Sequence, residues 1–166
     1  VSGGSQGGGI TLAAALAGLS EGSNIAPRGK VCAAMAEVPF LCHFHRAAPL
    51  VDTLPYQEIA RYCRLAGIDG EQVFRTLSYV DCLNLADQIA VPTLVTVGLM
   101  DTICPPSTIF AAYNHITAPK ELVLAPFGEH ASFPGVADAA RWFGRYMQTE
   151  GGMEAGHPRT GAVAAE

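Results

Sequence analysis

Three residues far apart in the chain carry the types needed for acyl-transfer chemistry. Ser5 stands in Gly3-Gly4-Ser5-Gln6-Gly7, which fits G-x-S-x-G, a strand-to-helix turn that presents a nucleophilic hydroxyl. The serine backbone is strained in such a turn, so side chains two positions away on either side are expected to collide. A serine at the head of a helix also faces free N–H groups and the positive end of the dipole, which favour developing negative charge. The N–H of Gln6 is the expected oxyanion donor. A hydroxyl is a weak nucleophile until an imidazole takes its proton and a carboxylate orients the imidazole. His130 and Asp101 are expected to fill those roles, and the order Ser, Asp, His along the chain suits this kind of turn.

The same residues admit other uses. The glycines could cradle a phosphate, but G-x-G-x-x-G fails because Ser5 stands where the second Gly belongs. The P-loop pattern fails too, since Gly4…Gly9 is followed by Ile10 and not Lys. Asp101 could cap the helix that opens near Pro105, and His130 could be an ordinary loop histidine. His43 and His45 compete for the role of base, though they come early in the chain for it. His115, late in a helix, and His157, in the tail, are expected to be inert, and Arg46 is expected in a solvated loop. The five cysteines (Cys32, Cys42, Cys63, Cys82, Cys104) lack zinc-ligand spacing and are expected to be free, mostly buried thiols in a reducing compartment.

Positioning these groups requires strands that end beside them. Val1–Gly4 reads as the end of a strand whose beginning is missing, so a fragment of a longer domain is expected. An all-round apolar helix follows over Gln6–Leu19. Lys30–Glu37 reads as a doubly buried strand ending near Pro39, and 40–54 as irregular chain. Ile59, Tyr62, Cys63 and Ala66 recur at helical spacing within 55–66, as do Val73, Phe74 and Leu77 within 71–80. Ile89–Gly98 is a β-branched central strand with Pro92 at its start. A helix opening at Pro105 is expected to bury Ile109, Phe110, Tyr113 and Ile116. Lys120–Ala125 is another strand, and a last helix over 136–147 is expected to bury Val136, Ala139, Ala140, Phe143 and Met147. From residue 149 to 166 a Gly- and Ala-rich disordered tail is expected, leaving 1–148 as the folded part.

Strands alternating with helices imply an α/β fold, a parallel sheet with helices on both faces. Such sheets bind ligands outside the carboxyl ends of their strands. Ser5, Asp101 and His130 each lie just past such an end.

Composition narrows the function classes. Half the residues are apolar and 15% charged, with a net charge of −5 and no Lys/Arg cluster, which argues against nucleic-acid binding. No apolar run reaches the roughly 18 residues of a membrane span, and no signal-peptide pattern is present.

Seen together, Gly3–Gly9, Glu37–Cys42, Ile59–Cys63, Phe74–Tyr79, Val97–Thr108 and Lys120-Glu-Leu with His130 ten residues on resemble the acetyl xylan esterase/cephalosporin C deacetylase family, carbohydrate esterase family 7. The resemblance spans residues 1 to about 148 and corresponds to the C-terminal half of an α/β-hydrolase domain. It implies a triad of Ser5, Asp101 and His130, deacetylation of small acetylated sugars, xylo-oligosaccharides and cephalosporin C, no metal or other cofactor, a cytoplasmic location and a homo-hexamer. Two departures stand out: Ala131-Ser132 follow His130 where the family usually has Glu-Gly, and Glu129 precedes it. Without the family's upstream half, residues 1–166 alone are expected to be insoluble or nearly inactive. The alternatives are another serine α/β-hydrolase, a general carboxylesterase or peptidase-like enzyme, or a non-catalytic module of the same fold.

Overall fold

The computed structural model describes residues 1–16, 31–131, 136–147 and 163–164. Its spine is a parallel sheet of β1 (Ser2–Gly4), β2 (Ala34–Glu37), β3 (Thr93–Gly98), β4 (Lys120–Ala125) and β5 (Val163–Ala164), ordered in space as in sequence. The register pairs Gly4 with Glu37, Glu37 with Thr96, and Gly98 with Ala125. The carboxyl ends of four strands therefore line up along one edge.

Period-two alternation divides each strand between two cores. Ala34, Ala36, Val95 and Val97 face one side, where they meet Leu12 and Ala15, Cys82 and Ala86, and Ile109 and Ala112. These contacts come from α1 (Gln6–Ala14) and the residue that caps it, α5 (Cys82–Leu85) with its following 3-10 turn (Ala86–Gln88), and α6 (Pro106–His115). Ala33, Met35 and Leu94 face the other side against Trp142 of α7 (Val136–Met147). Between β2 and β3 the chain makes a helical excursion through α2 (Phe44–Leu50), α3 (Tyr56–Ala66) and α4 (Gly70–Leu77). Asp69 caps α4 through its side chain, and Gly67 in the left-handed region ends α3.

Several expectations need correcting. The first helix ends at Ala14; Leu16 instead bridges to Ile89, and residues 17–30 lie outside the described residues. Within α1, Ile10 stands 57% exposed, so the helix is not buried all round. The stretch expected to be irregular holds α2, whose N–H groups at its start are tied down by Asp81 rather than by a local cap. Sequence periodicity could not reveal a cap supplied from 37 residues away. In α6, Ile109, Ala112 and Thr108 are buried, with Ile116 just past its end, while Phe110 and Tyr113 pack only partly.

In α7 the anchor is Trp142, 4% exposed, whereas Ala140 is exposed; the largest apolar ring on the face outweighs alanines at similar spacing. In α3, Tyr62 and Ala66 are exposed and only Tyr56 is buried. The expected disordered tail falls mostly outside the described residues. Within that stretch, Val163–Ala164 pairs with Val123–Leu124 as a short strand beside β4.

Candidate active site

Ser5 follows β1 directly and sits at φ 55°, ψ −119°, a conformation a non-glycine residue adopts only when its surroundings impose it. Its backbone is held on both sides: the N–H donates to Glu37 O at 2.9 Å, and its carbonyl accepts from Phe40 N at 2.9 Å and Gly9 N at 3.2 Å. Its hydroxyl makes no capping bond to α1. It meets His130 Nε2 at 2.9 Å instead. His130 Nδ1 lies 2.8 Å from Asp101 Oδ2, whose carboxylate is fully buried while the imidazole is 18% exposed.

An ionised carboxylate can only accept, so Nδ1–H donates to Asp101 and the Nε2 lone pair faces the Ser5 hydroxyl. The other Asp101 oxygen takes the N–H groups of Ile103 and Cys104, both at 2.8 Å. Asp101 therefore does not cap α6, which starts at Pro106 without a side-chain cap. The three side chains, 125 residues apart at the extreme, form one unbroken hydrogen-bonded chain.

Glycines let the backbones close in. A Cβ on Gly98 would lie 2.4 Å from Glu129 O and 2.5 Å from Gly128 O, so only glycine lets the His130 loop settle on the end of β3. Met100 N–H donates to Gly128 O at 2.9 Å and Leu99 N–H to Ala125 O at 3.0 Å, which lock that loop to the Asp101 turn. In the serine turn, a Cβ on Gly3 would sit 2.5 Å from Gly7 O, as expected, but one on Gly7 would meet nothing within 4 Å. The expected clash on both sides of Ser5 is therefore one-sided. The close approach lies one step further on, at Gly8 and Gly9, against Glu37, Pro39, Phe40 and Leu41.

Gln6 is the first residue of α1, so its N–H belongs to the helix start, where N–H groups have no partner within the helix. His43 and His45 are not in this constellation. His45 pairs with Glu71 at 3.4 Å and packs at a tilt against the Phe74 ring. His43 lines a cavity of about 300 Å³ with Arg75 and Asn84, and burial, with Arg46 and His45 nearby, holds its imidazole below the usual range. Arg46 donates to Ser107 Oγ at 2.8 Å. His115 Nδ1 lies 2.8 Å from Ala111 O, and His157 is outside the described residues.

Asp101, Cys104 and His130 place potential metal-ligand atoms within 4.8 Å of one another. The donor set suits a hydrogen-bond network better: the carboxylate and imidazole already bond each other, and burial with Asp101's charge pushes the Cys104 thiol up to about 12. The cysteines are free; Cys42, Cys82 and Cys104 are buried, Cys63 is partly buried and Cys32 is exposed.

The acetyl xylan esterase (AXE1) family matches residues 1–146. The chain belongs to the acetyl xylan esterase family. The acetyl esterase Axe7A of Xylanibacter ruminicola is 33% identical over 135 residues, covering 78% of this chain and 26% of that protein. Acetyl xylan esterase 1 from Thermoanaerobacterium sp. JW/SL YS485 superposes with a TM-score of 0.72 at 40% identity, over 86% of this chain and 43% of that one. The acetyl xylan esterase from Paenibacillus sp. R4 gives 0.72 at 42% identity, over 85% and 42%. The chain thus spans less than half the length of these family members, and its architecture is that of the α/β-hydrolase fold.

Two features of the site escaped sequence reasoning. Gly98 reads as a strand end, yet its work is to admit the His130 loop. The segment Val38–His43 reads as a strand end running into irregular chain, yet Val38, Leu41 and His43 all adopt positive φ. Valine and leucine have no preference for that region, so no composition signal marked it.

Proposed function

We propose that the protein containing this chain is a serine esterase that removes acetyl groups from small acetylated carbohydrates such as xylo-oligosaccharides, with cephalosporin C as a further acetyl ester of the right kind. The observation that carries the reading is the continuous Ser5–His130–Asp101 hydrogen-bonded chain at the head of α1. Ser5 Oγ attacks the acetyl carbonyl as His130 Nε2 takes its proton, and Asp101 stabilises the imidazolium. The Gln6 N–H and a donor from elsewhere in the protein hold the oxyanion. His130 returns the proton to the departing sugar oxygen. Water, deprotonated by the same imidazole, then attacks the acetyl carbon, and as the bond to Ser5 Oγ breaks His130 returns the proton to that oxygen and acetate leaves. The protein's own groups suffice for every step, so no cofactor is invoked.

The family resemblance adds a hexameric assembly and a cytoplasmic location to the proposal, the first checked by light scattering on the intact protein. The mechanism is tested with Ser5→Ala in the intact protein, assayed on p-nitrophenyl acetate and acetylated xylo-oligosaccharides. Turnover should fall by about 10⁶-fold, as when the nucleophile is removed from comparable triads. Wild-type-like turnover would end the reading.

A further inference from the structure

The peptide of Ser5 is gripped by a segment that contributes nothing to the triad itself. Ser5 N–H bonds Glu37 O, and Ser5 O accepts from Phe40 N, both at 2.9 Å. The first turn of α1 lies directly on the same segment. A Cβ on Gly9 would stand 2.3 Å from Phe40 O, and one on Gly8 would stand 2.9 Å from Glu37 O and 3.0 Å from Pro39 Cα. Where Val38–His43 goes, the Ser5 backbone must follow.

This segment cannot hold its own shape. Val38, Leu41 and His43 have φ of 37°, 68° and 53°, which for such residues persists only if neighbours over-determine it. Four neighbours do. Thr96 takes the Val38 N–H through its carbonyl at 3.2 Å and its hydroxyl at 3.1 Å. Cys82 N–H donates to Leu41 O at 2.8 Å. Tyr56 Oη donates to Cys42 O at 3.3 Å, beneath a cluster of the Phe40, Phe44 and Tyr56 rings.

The fourth neighbour is a buried charge. Asp81 is 5% exposed, and its carboxylate accepts from His43 N at 2.7 Å, Phe44 N at 2.8 Å and Leu83 N at 2.9 Å. Among the described residues no Lys or Arg forms an ion pair with it. A carboxylate taken out of water is costly unless its lone pairs are met, and here backbone N–H groups alone meet them. Capping α5 would need only the bond to Leu83; the two shorter bonds go to the end of the strained segment.

We infer that Asp81 is a positioning residue for the nucleophile: by fixing Val38–His43 it sets where Ser5 Oγ stands relative to His130. The inference rests on the reading of Ser5 as the nucleophile. It assigns Asp81 an effect on rate, whereas a cap for α5 alone would affect only stability.

The decisive variant is Asp81→Asn in the intact protein. Asparagine keeps the shape but turns an NH₂ toward a backbone N–H, so one end of the segment loses its anchor. We expect kcat on p-nitrophenyl acetate and the rate of labelling by a fluorophosphonate to fall together by roughly 10–100-fold, since a displacement near 1 Å costs about that much. KM should stay within about twofold of wild type, because substrate contacts are untouched. A folded Asp81→Asn protein with wild-type kcat and labelling rate overturns the inference. Should that variant fail to fold, Tyr56→Phe decides, since it keeps the ring stack and removes only the hydroxyl on Cys42 O. It should give the same pattern at about 3–10-fold, and wild-type kcat and labelling would overturn the inference. Ser5→Ala runs alongside: labelling or turnover surviving in it would defeat the esterase reading itself, a result distinct from either outcome for Asp81.

Discussion

The strand-end rim and the α3–α4 excursion are built on opposite principles. At the rim, backbone meets backbone: Gly98 under the His130 loop, Gly8 and Gly9 against Val38–Leu41, and a serine, a valine and a leucine held at positive φ. In the excursion no residue of α4 is fully buried, Leu65 and Tyr79 are 75% and 80% exposed, and Ile59, Tyr62, Ile68, Val73 and Leu77 line an open groove of about 410 Å³. At Gly3, Gly8, Gly9 and Gly98 the rim leaves no slack for a methyl group, and the excursion leaves a good deal. Geometry fine enough for proton transfer is bought with close packing, whereas a peripheral helical pair needs only an amphipathic face.

That contrast can be broken at several points, apart from the loss of activity expected for Ser5→Ala. The largest remaining effect should come from Gly98→Ala. The added Cβ overlaps two carbonyl oxygens of the His130 loop, so turnover of the intact protein should drop by about 100-fold and stability by about 1–3 kcal/mol, read by steady-state kinetics and urea unfolding. Trp142→Ala tests the second core. Losing its ring contacts with Phe143 and Tyr146 and its burial against Met35 and Leu94 should cost about 3–5 kcal/mol with little change in kcat of the folded fraction. Leu65→Ala in the excursion should change stability by less than about 0.5 kcal/mol. If it matched Trp142→Ala, the excursion would not be the loosely packed region described.

The smallest effect is chemical. Burial and the Asp101 charge oppose the Cys104 thiolate and push the thiol up to about 12. The folded state thus holds that proton more tightly than the unfolded one. Its stabilising share is complete below pH 9 and declines as pH rises toward 12. At pH 8 a thiol reagent should therefore label exposed Cys32 first and leave Cys104 unreacted until denaturant is added, as followed by mass spectrometry. Early labelling of Cys104 would mean that the packing behind the Asp101 turn is open.

Legibility followed the range of the interactions. The strand Lys120–Ala125 and the helix Val136–Met147 were readable to the residue, because a short apolar run closed by Pro126 and helical spacing are local signals. The convergence of Ser5, Asp101 and His130 on one edge was readable because each lies just past a strand end. The α2 helix was not, since its cap comes from Asp81, and Trp142 was passed over in favour of smaller residues at the expected spacing.

By itself the sequence determined the chemistry on offer: a serine in a glycine-framed turn, an aspartate and a histidine after later strands, and a pattern that specifies a parallel α/β sheet. Tertiary structure alone decided that their atoms meet at 2.8 and 2.9 Å and that Asp81, 76 positions beyond Ser5, steadies the loop beneath it. The reason is physical. Residue types and periodicity act over a few neighbours, whereas hydrogen-bond distances and forced backbone angles depend on how remote segments press together.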